Sequence, residues 1–170
     1  MNAREIRRLV EKAKVHDPDA FTILMTYYKR DMYRTAVAIL MNDEDAADAI
    51  QDTVLACWEK IETLREERYF KTWMTRILIN KCYDIKKQRI DKVSIEDCSE
   101  LVAQEEHDNG EMYDILAQLD VSYRLPMMLF YGEGYKTAEI AKLLNIPKST
   151  VQTRLARGRE KLSTYFKGKE

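Results

Sequence analysis

Residues 137–162 read TAEIAKLLNIPKSTVQTRLARGREKL, and the reading of this stretch decides the fold. Ile140, Ala141, Leu143 and Leu144 recur at helical spacing and give a short first helix one buried stripe. The pattern breaks at Asn145-Ile146-Pro147. Asparagine tolerates the left-handed conformation in which a chain leaves a helix, and proline cannot continue the helix behind it. A second helix follows, apolar at Val151, Leu155 and Leu162, with Ser149 and Gln152 spaced as a capping box. Small Ala141 lets the two helices cross closely against Val151. The predicted unit is a helix-turn-helix, whose second helix enters the DNA major groove. Arg154, Arg157, Arg159 and Lys161 line up there with only Glu160 opposing them. Spacing alone equally fits two packed helices with a solvated basic face, so the rest of the chain has to separate the two readings.

The 170 residues suffice for one ordinary domain or two small ones. With 45% hydrophobic and 34% charged residues, five glycines and three prolines, the composition favours long helices over tight turns, and no strand-like alternation stands out. The net charge of -1 means that any nucleic-acid surface is local. Cys57, Cys82 and Cys98 are far apart, an odd set with no C-x-x-C spacing, and the chain has only two histidines, His16 and His107. That argues against a metal centre or a disulfide framework. Cys57 and Cys82 fall in helical patterns as small packing residues. No nucleophile–base pair, phosphate-binding glycine loop or cofactor signature is present, so no enzyme is expected. MNAREIRRLVEKAK lacks the apolar core of a signal peptide, and no run is long enough to span a bilayer. The expectation is a cytoplasmic protein.

Working back from the N-terminus, Asn2 to Lys14 is helical in pattern, and Asp17-Pro18 stops and restarts the chain. Phe21, Leu24, Tyr28, Met32, Ala36 and Leu40 stripe the next helix. Asn42 opens a third, apolar at Ile50, Val54, Cys57, Trp58 and Ile61, with Asp45, Asp48, Gln51, Asp52 and Glu59 largely off that face. Residues 42–62 hold seven acids and one lysine, which suits either a solvated face or a docking surface for a basic partner. Residues 65–92 reverse the charge, with nine Lys or Arg against four acids. Tyr69, Phe70 and Trp73 at the start of the fourth helix add the aromatics that hold single-stranded nucleic acid. Trp73 fits core and strand contact alike. Residues 94–120 carry nine acids and no Lys or Arg. The expected organisation is therefore all-α, two small helical domains: residues 1–92, an acidic linker at 93–110, and 111–170 with the helix-turn-helix. Two further helices are predicted, from Glu111 to Leu119 and from Val121 to Tyr131.

In this order the parts resemble the extracytoplasmic-function group of bacterial sigma factors, in the sigma-70 family. DPDAFTILMTYYKRDMYRTA resembles that group's first helix, DAADAIQDTVLACWEKI its D-A-x-D-x-x-Q-[DE]-x-x-x-x-x-W signature, and FKTWMTRILINKCYDIKKQR its F-x-x-W-x-x-R-I-x-x-N segment. The stretch from Tyr123 to Leu162 is similar to its C-terminal domain. The resemblance implies a subunit that joins core RNA polymerase, recognises −35 and −10 promoter elements and opens the DNA. Asp48, Gln51, Asp52 and Trp58 would meet the polymerase clamp helices. Tyr69, Phe70, Trp73, Arg76, Asn80 and Lys81 would hold the melted −10 strand, where an aromatic wall and an amide can read an unstacked base. Ser149, Thr150, Gln152, Thr153, Arg154 and Arg157 would face the −35 duplex, where Gln pairs with adenine and Arg with guanine. Lys148 and Arg159 would touch phosphate. An anti-sigma partner, often membrane-anchored, is also implied. Gln152 stands where many members carry Lys or Arg, Ala156 replaces a bulkier residue, Asn145 a glycine, and Lys136 a Ser or Thr cap for which Thr137 could substitute. The competing reading is a stand-alone helix-turn-helix regulator that binds duplex DNA as a dimer.

Overall fold

In the computed structural model, residues 1–93 and 110–169 are described. The predicted linker, with Cys98 and His107, lies outside the described residues apart from its ends. Among the described residues there are helices and turns and no strand: α1 (Ala3–Lys14), α2 (Pro18–Leu40), α3 (Asp43–Lys60), α4 (Phe70–Val93), α5 (Gly110–Ala117), α6 (Val121–Met127), α7 (Thr137–Leu144) and α8 (Lys148–Lys169). Local chemistry sets the boundaries. Asn2 Oδ1 accepts from the Glu5 N–H at 2.9 Å while Glu5 Oε2 accepts from the Asn2 N–H at 3.0 Å, a reciprocal capping box. Asp17 caps α2 with Pro18 at its first position. Met41 ends that helix in the left-handed region at φ 49°, and Asn42 caps α3 through the Asp45 N–H. Each cap contributes about 1 kcal/mol, whereas each fully buried large apolar side chain contributes about 1.5–3 kcal/mol. Packing therefore dominates, and the caps place the ends.

The helix stripes meet in one contiguous core that runs from Val10 and Leu24 through Phe70, Met74 and Leu78 to Leu129, Ile140 and Val151. The C-terminal helices thus pack directly on the N-terminal ones. α2 shows this most clearly: Thr35 to Ile39 are five consecutive buried residues, more than one helix face can supply. α1, α3 and α4 pack on α2, and so do α6 and the turn behind it. The cross-links are specific. Arg124 of α6 donates its Nε to the Ala38 carbonyl and its second terminal nitrogen to the Ile39 carbonyl at 3.4 Å. These are carbonyls that the end of α2 leaves without a helical partner. Tyr113 of α5 and Tyr33 of α2 both donate to Asp43 Oδ1 at the start of α3.

Four details differ from the sequence pattern. Asp45 is buried rather than off the apolar face, because Arg89 Nε of α4 reaches its carboxylate at 2.5 Å. The helix predicted to reach Tyr131 changes at Met128 into a wide π turn, Met128–Gly132, where the Glu133 N–H donates to the Met128 carbonyl. Pro126, inside α6, has no N–H to continue the ladder. At Gly132 a Cβ would lie 2.5 Å from Met128 Sδ, so a glycine fits there. Ser149 is not a helix cap: α8 starts at Lys148, and the Pro147 carbonyl accepts from the Thr150 and Val151 N–H groups. Lys136, not Thr137, occupies the cap position of α7. Asn145, by contrast, takes the left-handed conformation at φ 53° that the turn requires.

Candidate protein and nucleic-acid interfaces

Three surfaces gather the residues singled out in the sequence. The first lies on α3. Asp48, Gln51 and Asp52 are exposed on one side of the helix, and Trp58 is half-buried. Gln51 and Ile50 form a ridge between two hollows. One, of about 490 Å³, is lined by Pro18, Phe21, Thr22, Val54, Leu55 and Trp58 as well as by the ridge. The other, of about 580 Å³, includes Thr26, Tyr33 and Ala47. Trp58 is wedged between Phe21, at a ring separation of 5.0 Å, and the edge of His16 at 4.9 Å. Leu55 remains 59% exposed at the lip. Leu55 lies off the apolar face read from the sequence, and nothing in the local pattern marks an exposed leucine as a contact. The arrangement can receive an apolar side chain in a hollow while carboxylates at the rim attract a basic partner.

The second surface runs along α4. Tyr69, Trp73, Arg76 and Asn80 follow one another at spacings of four, three and four, which puts them on one helix face. Tyr69 is 50% exposed with the Arg68 guanidinium 4.7 Å above its ring. Arg76 and Asn80 are exposed, and Lys81 is half-buried to one side of the face. Trp73 is half-buried, packed on the core and 5.9 Å from the Phe70 ring. Phe70 departs from expectation. It is 1% exposed and lies against Tyr28, so it supports the aromatic wall from behind and offers no surface to a strand.

The third surface is the start of α8. Ser149, Thr150, Thr153, Arg154 and Arg157 line a polar hollow of about 400 Å³ together with Ser122 and Tyr123 of α6. Those two were missed, since they are remote in sequence from the helix-turn-helix. Lys148, Gln152 and Arg159 are exposed on the helix outside this hollow. Arg159 donates to the Tyr131 hydroxyl at 3.0 Å, and Lys161 sits 4.8 Å above the Tyr123 ring. These contacts pre-position long cationic side chains that would otherwise lose rotamer freedom on binding. Gly158 lets α8 pass close to α6: a Cβ there would lie 3.0 Å from Met127. Burial pushes the Cys57 and Cys82 thiols up to about 12, so both stay protonated packing groups. Among the described residues no cluster of His, Cys, Asp and Glu could hold a metal ion, and no helix is long and apolar enough to cross a membrane.

Residues 24–90 match the family model Sigma-70 region 2, and residues 109–162 match Sigma-70, region 4. The ECF RNA polymerase sigma factor SigW of Bacillus subtilis (strain 168) is 29% identical over 176 residues, covering 92% of this chain and 94% of that protein. The structure of CnrH in complex with the cytosolic domain of CnrY is similar at a TM-score of 0.74 and 23% identity, covering 98% of this chain and 99% of CnrH. The sigma factor RpoE of Bartonella quintana, solved with the anti-sigma factor NepR, is similar at a TM-score of 0.74 and 20% identity, covering 86% and 96% of the two chains. At these identities the likeness of the two structures is one of fold.

Proposed function

Because this chain belongs to the extracytoplasmic-function group of the sigma-70 family of RNA polymerase sigma factors, we propose the following division of labour among its three surfaces. The protein is an alternative sigma factor for transcription initiation. Phosphodiester chemistry belongs to the polymerase, and this chain supplies recognition, acting in the cytoplasm where the polymerase works. α3 docks on the clamp helices of core RNA polymerase: Asp48, Gln51 and Asp52 make the polar rim, and Leu55 and Trp58 the apolar centre. α4 receives the parted −10 strand on Tyr69 and Trp73, with Asn80 reading a base edge and Arg76 and Lys81 holding phosphate. α8 reads the −35 duplex through Gln152, Arg154 and Arg157, while Lys148 and Arg159 contact phosphate. Ser149, Thr150 and Thr153 help fix the register. The two functional parts are residues 1–92 and 111–170.

The observation that carries this reading is the order of the two family matches along one chain, region 2 before region 4. Each coincides with helices whose exposed residues suit its task. The partners are core polymerase, promoter DNA and an anti-sigma protein, the last by extension from RpoE with NepR; the membrane anchoring of that partner is part of the same proposal. In vitro transcription with purified core enzyme tests the reading. Promoter-specific initiation is expected only when the chain is added. Core enzyme that neither binds it nor gains promoter-specific initiation overturns the proposal.

A further inference from the structure

The contact between the two halves contains a buried carboxyl group without a matching donor. Glu133, in the loop between the π turn and α7, has a side chain only 2% exposed, and neither carboxylate oxygen accepts a hydrogen bond from an N–H or a hydroxyl group; its side chain lies against the Asp31 carboxylate. Its nearest cation is Lys71 of α4, 3.6 Å from Oε2. That ammonium is already shared: it lies 3.3 Å from Asp31 Oδ2 of α2 and donates to the Glu133 backbone carbonyl at 3.1 Å. Two carboxyl groups thus compete for one ammonium at the seam. Around them the seam is well made. Thr75 Oγ1 and the Tyr135 hydroxyl are 2.8 Å apart in a buried pair, and Arg76 reaches the Lys142 carbonyl at 3.5 Å. The C-terminal half therefore covers α4 at Lys71 and Thr75 and holds Arg76 at its edge.

We propose that Glu133 is a proton-operated latch: protonated, it keeps the C-terminal half closed on α4, and ionised, it loosens that contact and releases the Arg76 edge of the helix. The consequence for DNA rests on the role proposed above for α4; the latch itself does not. Burial first and the charge of the Asp31 carboxylate second raise the Glu133 carboxyl from its ordinary 4.5 to about 7, and a side-chain hydrogen bond to Asp31, available only to the protonated acid, adds to this; Lys71 and Arg34 offset only part of it. The charged and titratable groups facing it are Asp31 and Arg34 from α2, Lys71 from α4 and Tyr135 from its own loop. The Tyr135 hydroxyl is itself pushed up to about 12 by burial, so it stays neutral across this range.

The sign follows from linkage. The raised value belongs to the closed form, and an opened, hydrated Glu133 returns toward its ordinary one. The closed form therefore binds the proton more tightly. Its full advantage is present below the ordinary value and is lost as pH rises toward 7, by at most about tenfold in the closed-to-open ratio per pH unit.

Small-angle X-ray scattering on the full chain tests this at roughly pH 5.5 and 8.5, either side of the expected midpoint. The wild-type radius of gyration should increase at the higher pH. Glu133→Gln, a neutral near-isostere, should stay compact at both. Asp31→Asn removes the repulsion while leaving Lys71 to Glu133, and should shrink the increase. An unchanged wild-type radius, or a Glu133→Gln variant that expands as the wild type does, overturns the latch. The variant changes only this carboxyl group, so every other group of the chain is the same in the two proteins. Promoter-specific initiation by the wild type, measured alongside, tests the sigma-factor reading separately. Initiation without any change in size removes the latch alone, and a change in size without initiation overturns the sigma-factor reading while the latch stands.

Discussion

Leu55→Ala separates docking from folding. Leu55 is 59% exposed at the lip of the α3 hollow, so truncation removes little from the folded core and leaves the free protein nearly as stable. Fully burying a leucine contributes about 1.5–3 kcal/mol. The fraction still available to a partner is therefore on the order of 1–1.5 kcal/mol, and the expected loss of core-polymerase affinity is about five- to twelvefold. The assay is a fluorescence titration of labelled protein with core enzyme, paired with thermal melting of each variant. Leu24→Ala is the contrasting control. Leu24 is fully buried in the same half of the chain, so it should cost about 2–5 kcal/mol of stability. An affinity change below about twofold for Leu55→Ala would refute the docking argument. A fall in melting temperature matching that of Leu24→Ala would show that Leu55 supports the fold instead.

Asp52→Lys reverses a rim charge on the same face and should weaken core binding in a salt-dependent way with the melting temperature unchanged; equal binding at low and high salt would remove the electrostatic part of the contact. Arg157→Ala should weaken −35 recognition by about 1–3 kcal/mol if it makes a bidentate base contact, read as a changed preference among promoter variants. A loss uniform over all sequences would assign it to phosphate. Tyr69→Ala should lower open-complex formation by about 1–3 kcal/mol with no change in melting. Phe70→Ala should instead lower the melting temperature, at about 3–5 kcal/mol, because its ring is core; similar effects from the two would refute that separation.

Much of this protein was legible along the chain because helices are written locally. The Asp17-Pro18 restart and the left-handed Asn145 depend on a few neighbouring residues, and the structure holds both as the pattern implies. The exposed polar faces of α3 and α8 followed from the same periodicity. Where two remote segments meet, the pattern was silent. It placed Asp45 off the apolar face because Arg89 is remote in sequence, and Phe70 with the strand contacts because an aromatic at a helix start looks alike whether it faces water or core. It missed Ser122 and Tyr123 for the same reason. The burial of Thr35 to Ile39 on every side, the Arg124 clasp on the end of α2 and the Lys71–Glu133 seam required the two halves to be set against each other. Sequence by itself determined the helices, their caps and their amphipathic faces, since each depends on residues a few positions apart. Tertiary structure alone decided which faces remain open, because that depends on which surface the other half of the chain occupies.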